Sequence, residues 1–330
     1  MSGIKVSLIA TERNEVGAIA EFIESALAQS MKPDEIVIAD GDSDDGTRQI
    51  IQRYIDQGAP VTLLNVPGNR SVGRNAAIEA ARNEIIAVGD IGCRFDHDWL
   101  KHITQPFRDN RETQTVAGFF LAEPKTHFEK VSTDLMLQAN EKVDVKTWLP
   151  SSRSIAFTKT AWRKAGRYPE YAEFEARLAR KCGGEDTLFD LALKDAGYEF
   201  ADGLKAIVYW RPRPDLKSFY LQYYWYAVGD GMDLTGLADH AFFRRLSTKY
   251  ALVAALTLVL GSWWEPLGLL PLAYLGAGLG RRSLAPWRRT SSRPDDLLLM
   301  MLLLLVYDIS QIFGYWYGFY RRPANKTTRA

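Results

Sequence analysis

The sequence predicts an α/β fold: a Rossmann-like, mostly parallel sheet followed by a C-terminal hydrophobic helical membrane region. Three features predict it. Short apolar runs alternate with amphipathic helical stretches through the first 90 residues, the pattern of right-handed βαβ units covered on both faces. Polar segments follow each of those apolar runs, the last three of them carrying glycine. Charge then vanishes from most of the last third: residues 250–264 and 266–280 carry none, and 297–320 contain only Asp308.

The 330 residues suffice for one large domain or two. Lys and Arg number 41 against 40 Asp and Glu, a net charge of +1 that argues for no nucleic-acid partner. Cys93 and Cys182 lie far apart without metal-ligand spacing, as expected of reduced thiols. The opening MSGIKVSLIA enters a strand directly, with no basic region ahead of a long apolar stretch, so a cleaved signal is not expected.

Taken in order, residues 5–10 form the first strand and 16–29 the first helix, with Ile19, Phe22, Ile23, Ala26 and Leu27 apolar. Residues 35–39 are the second strand and 47–57 the second helix, with Ile50, Ile51, Tyr54 and Ile55 apolar. Strand 61–65, helix 74–82 and strand 84–88 complete the alternation, and Asp96 and Asp98 fall at the start of the next helix. "LPSSRSIAF" (149–157) reads as a polar turn entering a strand, and "YWRPRP" (209–214) as a strand end extended by its prolines. An aromatic helix over 218–231 follows. The organisation expected is a sheet domain over 1–231 and an amphipathic, basic linker over 232–249. A membrane-associated helical region over 250–320, with hydrophobic blocks at 250–280 and 297–320, and a basic tail at 321–330 complete it.

In parallel sheets ligands sit at the carboxyl ends of the strands. Here those ends carry Thr11-Glu12-Arg13-Asn14, then Asp40-Gly41-Asp42-Ser43-Asp44-Asp45-Gly46-Thr47, then Gly68-Asn69-Arg70 through Gly73-Arg74-Asn75, and Asp90-Ile91-Gly92-Cys93. Singly, each reads as a turn or a helix cap. Together they collect carboxylates, arginines and glycines on one edge, a mixture suited to a nucleotide and a divalent cation. The absence of Gly-x-Gly-x-x-Gly after the first strand and of GxxxxGK[ST] argues against a dehydrogenase or a P-loop enzyme. The four histidines form no HExxH and no close cluster, and read as surface or core residues.

"VSLIATERNE", "IVIADGDSDDGT", "GRNAAI", "GDIGC" and "GGEDTLF", in that order, resemble the family 2 glycosyltransferases of GT-A fold over roughly residues 4–231. The resemblance implies an inverting, membrane-associated transferase that takes a sugar from a nucleoside diphosphate (UDP, GDP or dTDP) with Mg²⁺ or Mn²⁺. It implies Thr11 and Glu12 against the nucleoside, Asp40 and its loop neighbour Asp42 at the base or ribose, and Arg74 and Asn75 at the base or diphosphate. Asp90 would be the first acid of the Asp-x-Asp metal motif. Gly92 stands where the second acid usually sits, a "DxGC" variant, so metal binding would rest on Asp90, diphosphate oxygens and water. Cys93 is a poor ligand for such a hard ion. Arg153 would face the diphosphate or an acceptor phosphate, unless its turn is simply a surface turn.

Helical spacing after Gly183-Gly184 places Glu185 and Asp186 in a first helical turn, where the dipole favours ionised carboxylates. With the resemblance, Asp186 is the expected catalytic base and Glu185 its support. The expected function is transfer to a hydroxyl or phosphate acceptor, a lipid-linked or cell-surface glycan precursor. The alternatives are a polyprenyl-phosphate glycosyltransferase and a non-catalytic nucleotide-sugar-binding scaffold, the latter motivated by Gly92. Relatives that polymerise carry QxxRW; this chain has Gln222-Tyr223-Tyr224-Trp225-Tyr226, so polymerisation is not expected.

As one helix, residues 250–280 would run about 46 Å against a bilayer core of about 30 Å, and Pro266 and Pro271 oppose it. Residues 297–320 reach about 36 Å, but Asp308 at their centre is costly in hydrocarbon. Arg244, Arg245 and Lys249 precede the first block, Arg281, Arg282, Arg288, Arg289 and Arg293 lie between the two, and Arg321, Arg322, Lys326 and Arg329 follow. The positive-inside rule puts every flank in the cytoplasm, which re-entrant or interfacial hairpins satisfy. A buried helical domain is the soluble alternative. Gly276 and Gly280 form a GxxxG that would pack helices. The catalytic domain is expected at the cytoplasmic face of the cell membrane.

Overall fold

Alternate residues of the first apolar run face opposite ways, and the sheet is built on that alternation. The structure, a computed structural model, describes residues 4–136, 143–170, 184–291 and 293–322. In β1 (Val6–Glu12), Val6, Leu8 and Ala10 enter one hydrophobic cluster and Ile9 the other, as the two-residue side-chain period requires. β2 (Glu35–Asp40) is buried along its whole length, the mark of a central parallel strand. With β3 (Val61–Asn65), β4 (Ile85–Val88), β5 (Cys93–Phe95), β6 (Thr115–Ala122), β7 (Ile155–Thr158) and β8 (Ala201–Trp210) it forms a sheet ordered β3-β2-β1-β4-β7-β6-β8-β5. β1 pairs in parallel with β2 and β4, and so do β2 with β3 and β6 with β8. β7 runs antiparallel between β4 and β6, and β5 closes the far edge antiparallel to β8.

One face is covered by α1 (Ile19–Leu27), α2 (Thr47–Asp56) and α4 (Trp99–Asp109), through Phe22, Ile23, Ile51, Trp99 and Ile103. The other is covered by α3 (Arg70–Ala80), α6 (Lys159–Lys164) and α7 (Glu185–Asp195), through Ile78, Trp162, Phe189 and Leu193. Helix α3 begins four residues ahead of the sequence expectation. Asn69 caps it by accepting a hydrogen bond from the Val72 amide at 3.0 Å, and the helix runs on through Gly73. Gly73 is required there: a Cβ would lie 2.9 Å from Thr11 Cγ2, so its absence lets α3 close on β1.

The chain divides into two compact units, Met1–Glu123 with Lys142–Arg211, and Pro124–Glu141 with Pro212–Ala330. The second unit holds α5 (His127–Met136), α8 (Leu216–Met232), α9 (His240–Trp263), α10 (Glu265–Thr290) and α11 (Pro294–Tyr320). α8 and α11 meet backbone to backbone. A Cβ on Gly314 would overlap the Tyr224 carbonyl, one on Gly318 the Val228 carbonyl, and one on Gly231 the Tyr315 carbonyl. The GxxxG expected to pack helices, Gly276 and Gly280, does not do so: nothing lies within 4 Å of a Cβ at Gly276, and Met301 alone near Gly280. Gly314-x-x-x-Gly318 has that role because another helix faces it.

Asp308 is fully buried in α11 and satisfied there. It accepts from both terminal nitrogens of Arg282 at 2.6 and 3.0 Å and from the Tyr250 hydroxyl at 2.9 Å. The cost expected of an acid in this apolar stretch is thereby offset by a bidentate partner from α10 and a hydroxyl from α9. α9 and α10 form a hairpin that turns at Trp264, and Gly268 lies so close to Gly261 that a Cβ would come within 3.0 Å of its Cα. Trp263 and Trp264 at the tip are 83% and 62% exposed. By length and composition α9 and α11 are each able to cross a membrane.

Candidate active site

Parallel register places the first two strand ends side by side. Glu12 pairs with Asp40 across β1 and β2, so two carboxyls meet at the carboxyl edge. Both are buried. The Ser43 amide reaches both Asp40 oxygens at 3.2 Å, Arg48 Nε lies 3.3 Å from Oδ2, and the Ser43 hydroxyl donates to Glu12 Oε2 at 3.1 Å. Burial first, then the hydrogen bond and charge of Asp40, push the Glu12 carboxyl up to about 8. Burial acts in the same sense on Asp40, but the hydrogen bonds from Glu12 and Ser43 outweigh it and hold that carboxyl below its ordinary value. Near neutral pH the pair therefore shares one proton, carried on Glu12.

The loop between β2 and α2 is stitched to the loop after β1. The Asn14 amide donates to Ser43 Oγ at 2.8 Å, the Asp44 amide to Asn14 Oδ1 at 3.0 Å, and the Val16 amide to Asp45 Oδ2 at 3.0 Å. Asp42 is exposed, with φ at +70°. Thr11 is half-buried, its methyl against Gly73.

Arg74 joins the remaining elements. Its guanidinium is buried in α3 and donates from Nη2 to Asp90 Oδ1 at 2.8 Å and from Nη1 to Glu185 Oε1 at 3.0 Å, with its Nε unpartnered. The Tyr168 ring lies 5.3 Å from its centre and stacks in turn on Phe189 at 4.0 Å. One cation thus ties the segment after β4 to the first turn of α7. Burial would push its proton off, but Asp90 and Glu185 hold it on. Burial would also raise the Asp90 carboxyl, but Arg74 and then Arg153 outweigh it, so Asp90 is held ionised.

Arg153 lies over Phe120 and Trp210 at 5.0 and 5.1 Å and donates to Ser151 Oγ at 3.0 Å. Asn75 is fully engaged within the fold. Its amide nitrogen donates to the Tyr168 carbonyl at 2.9 Å and Glu170 Oε1 at 2.8 Å, and its oxygen accepts from Trp162 Nε1 and the Tyr168 amide. It fixes the segment that holds the Tyr168 ring under Arg74.

At the start of α7, Gly184 has φ +112°, the left-handed value that turns the chain into the helix; Gly183 and Cys182 lie outside the described residues. Burial, then the charge of Glu185, push the Asp186 carboxyl above its ordinary value, against the pull of Arg74. The neighbouring carboxyls Asp90 and Asp186 are therefore shifted in opposite directions, the arrangement that separates an ionised group from a proton acceptor. One turn further on, Asp190 is buried with an unpartnered Oδ2, and its carboxyl is raised by burial and by Asp186.

Gly92 answers to backbone geometry. The Cys93 amide donates to the Asp90 carbonyl at 3.1 Å, and Gly92, with φ +96°, is the third residue of that turn. A side chain there has open space but a disfavoured backbone. Cys93 is buried and its thiol is pushed up to about 12 by burial and by Asp90, which removes it as a thiolate ligand. Asp90 keeps 31% of its side chain exposed and offers one hard oxygen ligand set. Among the described residues a His/Asp group, His127 with Asp295 and Asp296, also has ligand atoms within 4.8 Å of one another; it belongs to the second unit.

Sequence reasoning missed Tyr168, Arg48, Ser43 and Asp190. Ser43 lay inside a motif already singled out and Arg48 one residue past its end, whereas Tyr168 and Asp190 carry no local signal.

The model of the family described as glycosyl transferase family 2 matches residues 7–172. The chain belongs to that family. TuaG of Bacillus subtilis, a glycosyltransferase named for teichuronic acid biosynthesis, is 32% identical to this family 2 chain over 149 residues, 44% of this chain and 54% of TuaG. An uncharacterized glycosyltransferase of Nostoc, alr2836, is 30% identical over 117 residues, 35% of each chain. The chain thus spans about half the length, or less, of the curated relatives it matches. The mannosyltransferase PcManGT from Pyrobaculum calidifontis, solved with GDP-Man and Mn²⁺, superposes with a TM-score of 0.57 at 16% identity, covering 98% of this chain and 89% of that one. That likeness is one of fold. Glu185 and Asp186 lie beyond the family match and are tied to it through Arg74.

Proposed function

We propose that this glycosyltransferase is an inverting, metal-dependent enzyme that moves a sugar from a nucleoside diphosphate to a hydroxyl of a cell-surface or lipid-linked glycan precursor at the cytoplasmic membrane face. The observation that carries it is the Asp90–Arg74–Glu185 bridge, which sets an ionised carboxylate beside a raised one, Asp186. Asp186 accepts the proton of the acceptor hydroxyl as that oxygen attacks the anomeric carbon. Direct displacement inverts that centre. Glu185, held by Arg74, keeps the Asp186 carboxyl high enough to take a proton and fixes the helix turn that aims it. Asp90, held ionised by Arg74, would bind Mg²⁺ or Mn²⁺ together with diphosphate oxygens and water; when bound, the ion neutralises charge on the leaving diphosphate. Glu12 and Asp40, buried and sharing one proton, fix the strand-end edge on which Thr11 and the exposed Asp42 would meet the nucleoside.

The acceptor class is supported by the name of TuaG, and a nucleotide-sugar donor with a divalent ion by the GDP-Man and Mn²⁺ bound to PcManGT. Membrane attachment is supported by the hairpin's arithmetic. The uncharged part of α9 is residues 250–263 and that of α10 is 266–280, each about 21–22 Å, short of a core of about 30 Å. Lys249 and Arg281 then lie at the same end, so the hairpin enters and leaves by one face. The binding-only reading rested on Gly92, and the turn gives that glycine a conformational reason instead.

The test is transfer from labelled UDP-, GDP- and dTDP-sugars with and without Mn²⁺, comparing the wild type with Asp186→Asn. Metal-dependent transfer with an inverted anomeric centre, reduced by at least about 10³-fold in Asp186→Asn, is expected. Transfer that survives the substitution removes Asp186 as the base, and retention of configuration removes direct displacement.

A further inference from the structure

We propose that the groove along α9 and α10 holds a phosphate-headed membrane lipid, its anionic head at Arg244, Arg245 and Lys249 and its hydrocarbon against the apolar wall beyond them. The groove encloses about 720 Å³, within the range of small-molecule sites. Its lining is sorted by chemistry along one face of α9. The three cations and the Thr248 hydroxyl come first, Leu252, Val253 and Leu256 follow, and Pro271 and Tyr274 of α10 complete the apolar end. Arg244 to Leu256 spans about 18 Å, a headgroup and the upper part of an acyl or polyprenyl chain.

Three arguments select this occupant. The groove's polarity runs the same way as the hairpin's: cations at the base, apolar surface toward the exposed Trp263–Trp264 tip. A lipid lying beside an inserted hairpin has that same polarity, whereas a free anion uses only one end of the groove. The cations are also little neutralised from within. Among the described residues, Arg245 has an acid, Asp239, at 3.8 Å on the exposed surface, and the Lys249 ammonium lies 5.7 Å over the Tyr250 ring. Finally, a second copy inserted from the same membrane face packs on this one about a two-fold axis along α9, which would bring like charges together. The inference rests on the membrane placement proposed above and is independent of the transfer chemistry.

Native mass spectrometry of the full chain in detergent, incubated with equimolar phosphatidic acid and phosphatidylcholine of the same acyl chains, tests it. Expected is a preference for phosphatidic acid of at least about tenfold, since each cation near an anionic head contributes about 1 kcal/mol. That preference should fall to parity in the Arg244→Gln/Arg245→Gln/Lys249→Gln variant and weaken in Leu252→Ser/Leu256→Ser, with helical circular dichroism retained in both. Equal retention of the two lipids by the wild type, displacement of the lipid by millimolar inorganic phosphate, or loss of the groove to a dimer overturns the proposal. Sedimentation with pure phosphatidylcholine vesicles separates the two readings. Wild type that fails to sediment refutes the membrane placement; wild type that sediments but shows no lipid preference refutes the groove alone.

Discussion

Glu12→Gln should make this protein more stable near neutral pH, which is unusual for a substitution at a candidate site. Glu12 is 6% exposed, lies in register with Asp40, and has its carboxyl pushed up from 4.5 to about 8. Between those two values the folded chain binds a proton that the unfolded chain has released. Stability from this group is therefore fully present below pH 4.5 and falls as pH rises toward about 8. At pH 7 the difference is 2.5 units, or about 3 kcal/mol at about 1.4 kcal/mol per unit. Gln keeps a donor and an acceptor at the same place and removes the ionisation. Thermal unfolding of the full chain in detergent, followed by circular dichroism from pH 5 to 8, measures it. The variant should match the wild type near pH 5 and melt about 6–12 °C higher at pH 7. If the two melting curves stay parallel across that range, or the variant is the less stable at pH 7, the shared-proton account of Glu12 and Asp40 is wrong.

Arg74→Met should cost about 3–5 kcal/mol, because it strands Asp90 and buried Glu185 without their common cation, and adding Glu185→Leu should restore part of the loss; urea unfolding of the single and double variants checks this. Glu185→Gln removes the largest charge that raises Asp186, so the acidic limb of kcat/KM against pH should move to lower pH, as a pH–rate profile will show. Gly92→Ala should cost about 1–2 kcal/mol from backbone strain alone, since nothing lies within 4 Å of the new Cβ, and Gly92→Asn should cost less because Asn tolerates positive φ; equal costs in thermal melts would remove the turn as the reason for glycine.

The sheet was legible because its signal is local and repeated. β3 falls where the apolar run 61–65 placed it, and β1, β2 and β4 agree to within two residues at each end. The meeting of Glu12 and Asp40 was legible too, since parallel neighbours end on the same edge. Arg74 was legible as a site residue but not as a bridge: its partners lie 16 and 111 residues away, and no spacing rule encodes such a contact. Asn75 stands next to it in the same motif yet spends its whole amide on the Tyr168–Glu170 segment, a difference that depends on which side of α3 each residue faces. The two GxxxG patterns make the same point. Gly276-x-x-x-Gly280 and Gly314-x-x-x-Gly318 are equivalent as text, but a close approach needs a second backbone, and only α11 has one opposite its glycines.

The variant after β4 is better understood through Arg74 than through the missing acid. A second carboxylate at position 92 would add negative charge near Asp90, where the described structure provides buried Arg74, Arg153 and the exposed Arg70, itself 3.8 Å from Glu185. It would also have to adopt φ near +96° to keep the turn that Cys93 closes onto the Asp90 carbonyl. Glycine satisfies the turn and adds no third carboxylate to the two that Arg74 bridges. Asp90 is then ionised without a competing carboxylate, and Asp186 is raised by burial and Glu185 without a further negative charge beside it. On this account Gly92 belongs to the same electrostatic arrangement as the proposed base, and Gly92→Asp should melt at a lower temperature than the wild type without a higher kcat/KM.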